Sequence, residues 1–131
     1  MITSAYVLVG LGGAIGSVLR WIISVRLDDS LGRLPLGNEG FAWPTLLINI
    51  VGCLAIGFIA GHRKHSLEVW HFWVVGVLGG FTTFSTFMLE TSWQIQTFNW
   101  SFTILYVIAT FGACYVATSY ALKKSEQRSD R

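Results

Sequence analysis

The stretch Gly76-Val-Leu-Gly79-Gly80-Phe81-Thr82-Thr83-Phe84-Ser85-Thr86-Phe87 sits in the middle of a long apolar run. Two adjacent glycines followed by two threonines, whose hydroxyls can cap a new helix, argue for a break near 79–82. A break inside a membrane frees backbone N–H and C=O groups that hydrocarbon cannot satisfy. Discontinuous membrane helices generally place such groups around an ion or a water-filled cavity. That reading requires the run to lie in a bilayer, and the distribution of charge says that it does. Only 12% of the 131 residues are charged, against 53% hydrophobic, where soluble domains run near ~25% charged. None of the charges falls in 40–62, 69–89 or 91–122, and 1–25 contains only Arg20.

A spanning helix needs about 20 predominantly apolar residues. The four windows therefore predict an all-α membrane protein of one domain, with helices over about 4–27, 43–61, 68–96 and 101–122, the third broken. Pro44 suits the first turn of the second helix. Trp43, Trp70, Trp73, Trp93 and Trp100 lie near the expected span ends, as an interfacial aromatic belt requires. The segments between spans are expected to be a polar loop over 28–40, a short basic loop at 62–65 and a turn around Asn99, followed by a frayed charged tail from Lys123. This composition excludes a soluble enzyme. The N-terminus has no basic n-region, so a cleaved signal peptide is not expected. A net charge of +2 is too small a bias for a nucleic-acid partner. The three His occupy loop or interface positions without ligand spacing, and no enzymatic activity is expected.

Basic residues orient the chain. Arg63, Lys64, Lys123, Lys124, Arg128 and Arg131 fall on one side and Arg26 and Arg33 on the other, which favours both termini in the cytoplasm. Four short-looped helices leave little room for an aqueous pore within one subunit, so a transport path belongs near an oligomer interface. The spacings Gly12-x-x-x-Gly16, Gly57-x-x-x-Gly61 and Gly76-x-x-x-Gly80 allow close helix approach. The run Gly10-Leu-Gly12-Gly13-Ala-Ile-Gly16 superficially matches a dinucleotide-binding turn, but that fingerprint needs strand–helix alternation, and three more spans follow instead.

A few polar residues inside the spans need a reason. Arg20 lies about 10 Å from the end of the first helix at helical rise; it either snorkels to the interface or sets a positive potential in a vestibule. Asn49 would pair across helices or meet a permeant ion. Phe84 and Phe87 share a face, which is either lipid-facing or core packing or part of a path. Tyr106, Thr110, Cys114 and Thr118 form one stripe on the fourth helix. Glu90 is either an interfacial cap or a functional carboxylate. Cys53 and Cys114, both within apolar windows, are expected to be packing residues.

In these residues the sequence resembles the Fluc (CrcB-type) fluoride channel family over about 4–122. Three blocks carry the resemblance: Gly12-Gly13-x-x-Gly16-x-x-x-Arg20-Trp21, Thr45-Leu-x-x-Asn49-x-x-Gly52-x-x-x-x-Gly57, and the Gly76–Phe87 run. Two positions depart from it, Pro44 where glycine is frequent and Cys114 where serine is frequent. The resemblance implies a passive, fluoride-selective channel in the plasma or bacterial inner membrane that lowers cytoplasmic fluoride. It implies an antiparallel, dual-topology dimer with the pores near the subunit interface. A homodimer is expected, with a heterodimer of two related chains as the alternative suggested by the charge bias. It assigns Asn49, Phe84 and Phe87 to the fluoride pathway, with Thr83, Ser85, Tyr106 and Thr110 as polar lining and Arg20 near a vestibule. It assigns the main-chain carbonyls of Gly79 and Thr82 to a structural sodium ion at the dimer centre.

Two other classes compete. A small proton-coupled multidrug or cation exporter also has four short spans, but needs a carboxylate deep in a span, where the first helix supplies Arg20. A non-transporting subunit that packs by its glycine faces leaves the Gly-Gly-Phe-Thr-Thr break unexplained.

Overall fold

The computed structural model describes residues 2–31, 41–62, 65–97 and 100–129, and every element among them is helical. The helices are α1 (Ile2–Leu31), α2 (Trp43–Gly61), α3 (residues 67–81), α4 (Phe84–Thr97) and α5 (Trp100–Ser129). Four segments are long and apolar enough to cross a bilayer: Ser4–Ser30, Trp43–Gly61, Leu67–Thr97 and Trp100–Ser129. The third combines α3 and α4. The expectations placed on Arg33, Arg63, Lys64, Asn99 and Arg131 lie outside the described residues.

Glycine faces set the packing. α1 lies mainly against α3, and α2 against α5. A Cβ on Gly12 would meet the Phe72 carbonyl oxygen at 2.5 Å, and one on Gly16 would overlap the Val77 carbonyl. From the other side, a Cβ on Gly80 would overlap the Gly13 carbonyl. Two of the small-residue spacings are thus halves of one contact, α1 against α3, at backbone distance. The third spacing, Gly57 and Gly61, faces Thr118, Ala121, Leu122 and Ser125 of α5.

Both outer helices run further than their charges suggest. α1 continues through Asp28 and Asp29 to Leu31, where a loop was expected. α5 continues through the charged tail to Ser129. The tail is held because Ala117, Ala121 and Ser125 recur every four residues and are buried against α2. Ser125 Oγ also donates to the Phe58 carbonyl at 2.7 Å and lies 3.4 Å from His62 Nδ1.

The interior contains Phe41, Leu46, Phe87 and Tyr106. The Phe41 ring meets Tyr106 edge-on, with centroids 5.1 Å apart at 79°. Large apolar side chains such as Leu11, Val18, Trp21, Ile108 and Phe111 are exposed on the bundle surface, which suits a chain solvated by lipid.

Candidate ion pathway at the broken helix

The third span departs from regular α geometry twice. Residues Trp70–Leu78 form π-helical turns, in which the Gly79 amide reaches the Val74 carbonyl five residues back. Such widened turns occur frequently at functional sites. Gly79–Phe81 resume α geometry, and Thr82 then turns extended at φ −75° and ψ 156°. The break therefore falls at Thr82 and Thr83. The glycines stay helical, because Gly80 is used for the close approach to Gly13 and the turn is made by the residues that follow.

Several of the backbone groups released by the break find partners in nearby side chains. The Thr83 hydroxyl accepts from the Thr86 amide at 3.1 Å, capping α4, and donates to Thr86 Oγ1 at 2.9 Å. Asn49 of α2 clamps the same residue: its Oδ1 accepts from the Thr83 amide at 2.9 Å, and its Nδ2 donates to the Thr83 carbonyl at 3.1 Å. Gly52, one turn after Asn49, makes room for the Thr82 methyl, which a Cβ there would overlap. From α1, Arg20 Nε donates to the Gly80 carbonyl at 3.2 Å, with Ser17 Oγ at 3.5 Å from the same oxygen. Arg20 is thus a partner of the break.

The carbonyls of Gly79 and Thr82 are among those that lose their α-helical donors. The amide four residues past Gly79 is that of Thr83, which goes to Asn49, and the amide four past Thr82 is that of Thr86, which goes to Thr83 Oγ1. Gly79 is exposed on this face of the chain.

A groove of about 300 Å³ opens beside the break. It brings together Asn49, Thr83, Phe84, Phe87 and Thr110, and Gly79 and Thr82 lie in its wall as well. Phe84 is 66% exposed at the mouth, whereas Phe87 is 3% exposed behind it. The two rings are 6.0 Å apart at 36°. Phe111, which sequence reasoning did not single out, also lines the groove and meets Phe87 edge-on at 5.7 Å and 87°. No spacing rule separates Phe111 from the other apolar residues of its helix.

Ser85, Tyr106 and Arg20 are not among the groove's described lining residues. Ser85 Oγ is 3.3 Å from Thr83 Oγ1 on the exposed side of the cap. Tyr106 is completely buried, with its ring 5.4 Å from Phe87. Its hydroxyl donates to Glu90 Oε2 at 2.8 Å, and Thr45 Oγ1 donates to Glu90 Oε1 at 2.6 Å. Glu90 is thus tied to two neighbouring helices. Among the described residues no group of three or more His, Cys, Asp or Glu is placed to hold a metal ion. The oxygens that the break offers a cation are neutral ones, main-chain carbonyls and the side chains of Asn49 and the threonines.

Comparison with known proteins gives a consistent result. The family model described as CrcB-like protein, Camphor Resistance (CrcB), matches residues 7–122. The fluoride-specific ion channel FluC of Rhizobium meliloti (strain 1021) is 36% identical over 114 residues, covering 84% of this chain and 86% of that protein. The FluC of Opitutus terrae is 38% identical over 120 residues, covering 87% and 86%. That of Paramagnetospirillum magneticum is 39% identical over 119 residues, covering 86% and 88%. The match runs from the first span to the fourth and takes in the break, the clamp and the groove, and the chain belongs to the CrcB-like family.

Proposed function

We propose that this chain is a passive fluoride-selective channel through which fluoride leaves the cytoplasm, lowering its toxicity. The observation that carries the reading is the groove at the break, where a Phe pair, an amide and hydroxyls converge in a chain whose relatives are named fluoride-specific ion channels. Family membership favours this over the proton-coupled exporter.

The side chains divide the work. Ring edges carry the positive end of the aromatic quadrupole, so Phe84 at the mouth and Phe87 behind it offer successive electropositive edges to a small anion that has shed water. One Asn49 amide hydrogen is engaged on Thr83, and the other is the donor we assign to the ion. Thr83 and Thr110 add hydroxyls to the wall, whose protons would have to leave Thr86 Oγ1 and the Tyr106 carbonyl to reach the ion. None of these donors is a full charge, so the ion is held weakly enough to leave, as conduction requires.

The proposed assembly is a dimer of oppositely oriented copies in the plasma or bacterial inner membrane. Support comes from the open groove face, where Phe84 and Gly79 are exposed in the single chain. A heterodimer with a related chain is the other assembly that the charge bias allows. In such a dimer the released carbonyls of Gly79 and Thr82 suit a sodium ion, because neutral main-chain oxygens are hard ligands for a hard cation. The ion would tie the two breaks together and add positive potential, and it is not the transported species.

The test is fluoride and chloride efflux from liposomes holding this chain alone. Rapid fluoride loss with chloride retained is expected. Folded protein that releases no fluoride, alone or with a partner chain, overturns the reading.

A further inference from the structure

Cys53 of α2 and Cys114 of α5 come from different spans, yet both lie, partly buried, in the wall of the same groove, and the two side chains are close enough to influence each other. Each follows a polar wall residue by one helical turn, Cys53 after Asn49 and Cys114 after Thr110, about 6 Å further along the helix axes. The backbones around the pair are fixed. Thr118 Oγ1 donates to the Cys53 carbonyl at 3.3 Å, and Gly57, the next turn of α2, packs against Ala121 and the Thr118 carbonyl.

Two neighbouring sulfurs in one groove wall form a ligand set, and its chemistry can be read. No third His, Cys, Asp or Glu joins them among the described residues. Two ligands are too few for zinc, which takes four in structural sites. Soft thiolates select soft metals. Charge narrows the choice further: two thiolates around a divalent ion give a neutral complex, whereas a monovalent ion leaves a net negative charge in an apolar wall.

We infer that Cys53 and Cys114 form a two-coordinate site for a soft divalent cation, mercuric ion being the chemical match, in the wall of the groove. Binding is a proton-for-metal exchange. Each thiol gives its proton to water as its sulfur–metal bond forms, so two protons leave for each ion bound and no electron is transferred. If the groove is the fluoride path, as proposed above, an ion held there obstructs it.

The test has a binding arm and a flux arm. Purified protein receives one equivalent of mercuric ion and is desalted against 2-mercaptoethanol, a monothiol competitor. Wild type should keep about one mercury per chain and lose both titratable thiols, because two linked ligands outcompete single ones through effective concentration. Cys53→Ser and Cys114→Ser should each retain about tenfold less, and zinc should not be retained. Stripping from wild type, or equal retention by either single variant, overturns the site. In the flux arm, efflux with and without mercuric ion is compared within each protein. Wild type should fall about tenfold, as expected if an occupied site obstructs conduction, with a ratio near unity in each variant. Retained mercury with undiminished flux leaves the thiol site standing and removes the groove from the fluoride path. A wild type that conducts no fluoride sinks the channel reading alone, since the binding arm still decides the site.

Discussion

The α2–α5 seam is built in two ways along its length. Around Gly57 and Gly61 it is closed: Ala121 and Ser125 are buried against the glycines, and hydrogen bonds cross from α5 to carbonyls of α2. Around Asn49 and Thr110 the same two helices line the groove, with the break of the third span against it. The helices change little between the two regions; their side chains change. Glycine opposite alanine or serine lets backbones touch, whereas the side chains of Asn49, Cys53, Phe111 and Cys114 line an open groove. A chain this short uses one half of a helix pair as an anchor and the other as a wall.

The contrast can be broken from either side. Gly57→Val puts a branched side chain against the Thr118 carbonyl, and overpacking against a backbone that cannot move should cost about 3 kcal/mol, the upper end for such changes. The expected result is loss of folded protein in detergent, measured by thermal unfolding monitored by gel filtration; a variant with wild-type stability would show that the closed half is not an anchor. Asn49→Ala removes both halves of the clamp and leaves the Thr83 amide and carbonyl without side-chain partners, at about 2–3 kcal/mol. Here fluoride flux should fall together with stability, and a fall in stability alone would confine Asn49 to holding the break.

Phe84→Ile should act on the open half only. The ring is mostly exposed, so the fold should survive while flux falls at least about tenfold, or ~1.4 kcal/mol of barrier. Undiminished flux would take that ring out of the mechanism. The smallest effect is reserved for the cap. Thr83→Ala should lose about 1 kcal/mol of stability, whereas Thr83→Ser keeps the oxygen and should lose little. Equal behaviour of the two would mean that the methyl group, and not the hydroxyl, holds the start of α4.

Much of this was visible in the residues themselves. Charge-free windows expose the four spans because an unpaired charge in hydrocarbon is costly, and paired glycines followed by threonines expose an interruption because each has a backbone reason to be there. What sequence could not show was the outcome of contacts between spans. The Gly12 and Gly76 spacings read as separate motifs, and only packing reveals them as one interface. Asn49 could be read as pairing or as ion-facing; the geometry gives it two bonds to Thr83. Charges at Asp28, Asp29 and Lys123 suggested helix ends that the helices run past, because a helix leaving a membrane carries charge without unwinding. The π-helical turns of Trp70–Leu78 left no periodic signal, since that segment is apolar on every side.

Those widened turns make the length of the third span unforgiving. Removing one residue between Trp70 and Leu78 would rotate everything beyond by about 100° about the helix axis. Gly80 would turn away from Gly13, the Gly80 carbonyl from Arg20, and Thr83 from Asn49, all in one step. The span therefore behaves as a ruler with its origin at α1: substitutions within it can be graded, but a change in residue count is all or nothing.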